Sequence, residues 1–105
     1  MSARNINSEL FRHLVQEEKP VLVDFWAPWC GYCRRIGPAY DVLAGERQDV
    51  EIVKVNIDDE PALAQAQGIE VIPTLVLYKK GQALGSMVAP QSKGAIDEFL
   101  NEKLG

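Results

Sequence analysis

Two cysteines, the only ones in the chain, stand in Trp29-Cys30-Gly31-Tyr32-Cys33, directly after the apolar run Val21-Leu22-Val23-Asp24-Phe25-Trp26. Such a run reads as a buried strand. Ala27-Pro28 ends it, and the cysteines fall where a helix begins. The chain must therefore make a strand-to-helix junction with both sulfurs at it. A cysteine at a helix start faces unpaired backbone N–H groups and the positive end of the helix dipole, and both favour a thiolate. The second cysteine returns to the same face one turn later, close enough to bridge with little backbone movement. The pair reads as a dithiol that opens and closes as a disulfide. Cys30 is the expected nucleophile and Cys33 the expected resolving thiol.

The rest of the chain supports an α/β fold around that junction. Leu10, Phe11, Leu14 and Val15 are spaced as the inner face of a helix over 8–17, with Asn7 or Ser8 to cap it and Pro20 to end the segment. A cysteine helix is expected over about 31–47 with Ile36, Tyr40 and Leu43 inward, and Pro38 should kink it. Residues 51–57 read as a strand. Asp58-Asp59-Glu60-Pro61 then opens a short helix that stops at Gly68. Residues 74–79 and 84–88 read as strands joined across Lys80-Gly81-Gln82, a hairpin signal. Ser92 caps a last helix with Ile96, Phe99, Leu100 and Leu104 inward. The expected order is α-β-α-β-α-β-β-α in one domain, a small α/β sheet covered on both faces, its first strand pair parallel.

Composition narrows the function classes. The 105 residues, 47% hydrophobic and 25% charged, can bury a core without staples. A net charge of -4 argues against a nucleic-acid partner, and no apolar run is long enough to span a membrane. The first residues, with Glu9, Glu17 and Glu18 among them, lack the apolar stretch of a signal peptide, so a cytoplasmic setting is expected. In that reducing compartment a CxxC pair beside strand–helix units reads as redox chemistry. A closed zinc site needs four ligands, and His13 is the only other soft candidate, so no metal is expected. The chain has no GxGxxG or phosphate loop to bind a nucleotide of its own. Asp24 is either a carboxylate satisfied at a turn or edge, or an acid kept protonated by burial in the strand. In the second case it can move protons to and from Cys33 through water.

The chain closely resembles the thioredoxin family through residues 23–33, Pro38, Lys54-Val55-Asn56-Ile57-Asp58, Ile72-Pro73-Thr74 and Lys80-Gly81. The resemblance implies a central mixed sheet flanked by helices, with residues 74–79 antiparallel to their neighbour; the intervening helix alone would suggest parallel. It implies a protein-disulfide reductase, with Asp24 as proton shuttle and Lys54 as its neighbour. It implies that Pro73, otherwise an ordinary trans proline at a strand edge, is cis and lies beside the disulfide, while Ile72 offers backbone hydrogen bonds to an extended substrate. Trp29, Gly31, Tyr32, Ile72, Pro73, Ala89 and Pro90 would then surround Cys30 as an apolar binding rim. It further implies no bound cofactor, protein disulfides as substrates, and electrons from NADPH by way of a thioredoxin reductase. A monomer is expected.

Two positions depart from the family pattern. Tyr32 stands where proline is usual; it supplies a backbone N–H toward the Cys30 sulfur, which should stabilise the thiolate and make the centre less reducing. Ala89 stands where glycine is usual. The first departure keeps a disulfide isomerase or oxidant role as an alternative, and a thioredoxin-fold binding module is a second. Arg34 and Arg35 are expected to be solvated charges, and Trp26 to be core beneath the site.

Overall fold

Residues 21–25 are all buried and alternate between two separate cores, which makes their strand the spine of the molecule. In the computed structural model, which describes residues 3–105, the elements are β1 (Arg4–Asn5), α1 (Ser8–Val15), β2 (Val21–Trp26), α2 (Gly31–Glu46), β3 (Glu51–Asn56), α3 (Pro61–Ala66), β4 (Thr74–Lys79), β5 (Gln82–Val88) and α4 (Lys93–Leu104). The five strands lie in the order β1-β3-β2-β4-β5. β3 is parallel to β1 and β2; β4 is antiparallel to both β2 and β5. The mixed sheet and the antiparallel β4 agree with the resemblance, and the parallel alternative is set aside.

Val21, Val23 and Phe25 join Phe11 and Val15 of α1 and Leu63 of α3 in one core. Leu22 packs on the opposite face with Tyr40 and Leu43 of α2 and Ile96 and Leu100 of α4. With side chains alternating along a strand, Asp24 falls on the Leu22 face, beneath α2. This is how an apolar strand delivers an acid to the cysteine helix.

The helix starts follow ordinary capping chemistry. The Asn7 side chain accepts from the Leu10 N–H at 2.9 Å and that of Ser92 from the Ala95 N–H at 3.1 Å. α3 differs from expectation. Pro61 takes the first helical position, but Glu60 caps nothing; its carboxylate accepts from the Ser8 N–H and hydroxyl instead, tying α3 to α1. α2 continues through Pro38, which cannot bond the Arg34 carbonyl.

Sequence periodicity missed β1, which is too short to carry a period yet pairs Arg4 and Asn5 with Val53 and Lys54. It also began β5 at Leu84, whereas pairing starts at Gln82 against Lys79. The reason is the turn: Lys80 (φ 53) and Gly81 (φ 81) are both left-handed, giving a two-residue turn whose twist matches the strands. The helices 8–17 and 31–47 are shorter than expected, ending at Val15 and Glu46, and 51–57 ends as a strand at Asn56.

Candidate active site

The turn after β2 returns the Cys30 N–H to the Ala27 carbonyl at 3.1 Å and places Cys30 as the N-cap of α2. Cys30 and Cys33 form a disulfide with Cα atoms 5.3 Å apart, inside the range such bridges need. The Cys33 N–H points at the Cys30 sulfur, 3.2 Å away. That corrects the part expected of Tyr32: the backbone donor on the sulfur is Cys33, because a capping side chain here reaches the third helical N–H. Cys30 is half-buried at the surface, while Cys33 is only 4% exposed. The outer sulfur is the one an incoming disulfide can reach.

Asp24 lies beneath, 3% exposed, with Oδ1 lacking any hydrogen-bond partner among the described residues. Burial pushes its carboxyl up from 3.8 to about 7, with the nearby Lys54 ammonium pulling the other way. Lys54 is the β3 residue registered against Asp24, and its ammonium sits 4.8 Å from the centre of the Trp26 ring. A cavity of about 240 Å³ connects these groups, lined by Asp24, Trp26, Cys33, Pro38, Tyr40, Lys54 and others. It is large and polar enough to admit water between the acid and Cys33. Trp26 is half-buried rather than fully core, and its indole N–H donates to Asn5 Oδ1 at 2.8 Å.

The remaining expected residues surround the disulfide. The Ile72–Pro73 bond is cis, and the Pro73 carbonyl accepts the Ala89 N–H at 2.9 Å. Ile72 is half-buried and Gly31 exposed. Trp29 is 65% exposed, yet its indole N–H is held by both Asp58 oxygens at 3.1 Å. Val71 and Val88, beside Ile72 and Ala89, are exposed as well. The Tyr32 hydroxyl donates to the Pro90 carbonyl at 2.8 Å, and the Arg35 guanidinium lies 5.9 Å from the Tyr32 ring centre. Arg34 reaches the Pro28 carbonyl at 3.4 Å and lines the cavity, so neither arginine is simply solvated.

Sequence reasoning missed Asp58, whose only signal was its place in the segment 54–58 that carries the resemblance. It also missed the Tyr32 hydroxyl bond, for which no local pattern exists. His13, the other soft metal ligand, lies in α1, which packs on the sheet face opposite α2.

Ala89 has φ 46, a left-handed conformation that disfavours any residue with a Cβ, which explains why glycine suits this position. Ala89→Gly is expected to raise unfolding free energy by about 0.5–1 kcal/mol, read from the urea midpoint, since relief of strain exceeds the added chain entropy.

A bridged cysteine pair at a helix start, one sulfur accessible and the other buried beside a poised acid, defines a thiol–disulfide oxidoreductase. Known proteins give the particular family. The thioredoxin family model matches residues 2–102. Thioredoxin 1 of Synechococcus elongatus is 41% identical over 104 residues, covering 97% of each chain, and the thioredoxin of Streptomyces clavuligerus is 42% identical over 94 residues, covering 89% of this chain and 88% of that one. The solved structure of Malassezia sympodialis thioredoxin superposes with a TM-score of 0.86 at 31% identity, covering 99% of this chain and 92% of that one. The chain belongs to the thioredoxin family, and its activity is reduction of protein disulfides through its own dithiol.

Proposed function

We propose the following division of labour in that reaction. The Cys30 thiolate attacks a sulfur of the substrate disulfide, forming a mixed disulfide and releasing one substrate thiolate. Cys33 then attacks the Cys30 sulfur, and the second substrate thiolate leaves. The substrate gains two electrons and two protons, one proton relayed from Cys33 and one from the solvent that took the Cys30 proton when its thiolate formed. The chain ends as the Cys30–Cys33 disulfide. Asp24 takes the Cys33 proton through the cavity and passes it to the departing thiolate, with Lys54 holding the acid's pKa within working range. The observation that carries this reading is the unequal exposure of the two sulfurs above a buried, unpartnered carboxyl.

Trp29, Gly31, Tyr32, Ile72, Pro73 and Ala89 form the substrate rim, taking an extended segment through backbone hydrogen bonds and apolar contact. The chain acts as a single-domain monomer in a reducing compartment such as the cytoplasm, where the dithiol persists. It is recharged with electrons from NADPH by a thioredoxin reductase. The redox group is the chain's own disulfide, with no bound cofactor or metal.

Equilibration with a thiol buffer of known poise tests the direction of electron flow. A potential near the roughly -270 mV known for thioredoxins fits a reductase. A value tens of millivolts higher favours the isomerase or oxidant reading. Because the backbone donor on the Cys30 sulfur is Cys33 and not Tyr32, Tyr32→Pro is expected to shift the potential by less than about 30 mV, under about tenfold in the exchange constant. A larger fall would return Tyr32 to the thiolate's control.

A further inference from the structure

Tyr32 and Ala89, the two departures from the family pattern, meet at one turn. Ala89 holds a left-handed backbone, and its N–H donates to the Pro73 carbonyl at 2.9 Å. The next carbonyl, that of Pro90, takes the Tyr32 hydroxyl at 2.8 Å. The turn is thus tied on one side to the cis-proline segment and on the other to the first turn of α2, two residues past Cys30. Left-handed backbone at alanine costs about as much as one hydrogen bond returns. The hydroxyl bond is therefore of the right size to hold the turn in place.

We propose that Tyr32 is a positioning residue for protein disulfides: its hydroxyl latches the strained Ala89–Pro90 turn and so fixes one wall of the groove that receives an extended substrate segment. This rests on the disulfide-reductase reading above. A small disulfide needs only the Cys30 sulfur, whereas a protein segment also lies against the turn. The latch therefore sets preference between the two classes, acting on binding more than on turnover.

Tyr32→Phe removes the hydroxyl and keeps the ring. Amide exchange at Ala89 is expected to quicken about five-fold, the equivalent of one hydrogen bond. The ratio of kcat/KM for insulin to kcat/KM for dithiobis(nitrobenzoate) is expected to fall about five-fold, through KM. Adding Ala89→Gly, which takes the left-handed turn without strain, should return both readings to within about two-fold of the parent. An unmoved ratio, an equal loss on both probes, or a double variant no better than the single would overturn the latch. If the parent chain reduces neither probe, the reductase reading itself fails.

Discussion

Asp24→Asn is expected to abolish a fall in folding stability of about 4 kcal/mol that the parent chain shows between pH 3.8 and about 7. In the unfolded chain the acid ionises near 3.8, while in the fold burial holds its proton until about 7. Over that window the folded state binds more protons than the unfolded one, so stability drops as pH rises. Below 3.8 both states are protonated, and the full stability is present. Above 7 both are ionised, and the decline stops.

Asparagine carries no charge to bury, but its amide lacks partners in this site and costs about 1–3 kcal/mol. The two effects have different pH profiles. Near pH 4 the variant is less stable than the parent by the amide cost; at pH 8 it is more stable by about 1–3 kcal/mol. Urea unfolding at pH 4, 6 and 8 reads both, and a parent whose stability is flat across this range contradicts a buried, protonated Asp24. The same variant should slow disulfide reduction at pH 7 by about tenfold, below the usual worth of a general base because a thiol ionises readily by itself. Greater stability with lower activity would mark Asp24 as retained for chemistry at a cost to the fold.

Much of this was legible because the signals are local. The run Val21–Trp26 is apolar on both faces and reads as a central strand; the sequence leaves the acid within it open between an edge and a buried position, and the fold buries it. The cysteines declared themselves by spacing and by the helix start beside them. The hairpin showed in Lys80-Gly81, though the strand limits did not, because Gln82 and Ala83 pair at an edge without an apolar period. β1 was illegible for the same reason: two polar residues paired to β3 without an apolar period. The antiparallel course of β4 and the pairing of Lys54 with Asp24 came from resemblance, since strand order is a long-range property. The Trp29–Asp58 and Tyr32–Pro90 bonds join residues 29 and 58 positions apart and leave no mark in either segment.

The second large effect concerns the cysteines. Cys30→Ser is expected to lower protein-disulfide reduction by more than about 10³-fold, because serine is not ionised at neutral pH and cannot attack sulfur. Cys33→Ser leaves the first step intact and removes the second, so the reaction should stop at the mixed disulfide. A binding module would keep its partner when both cysteines are serine; a reductase keeps no activity.

The stalled intermediate is the most direct test. The Cys33→Ser chain is mixed with a disulfide-bonded protein, quenched in acid and weighed by mass spectrometry, with the linked residue located by digestion. The expected result is a one-to-one adduct through Cys30 that dithiothreitol releases, while Cys30→Ser, whose remaining thiol is buried, forms little or none. Equal capture by Cys33 in the Cys30→Ser chain, or no adduct with either variant, would contradict the assignment of Cys30 as nucleophile.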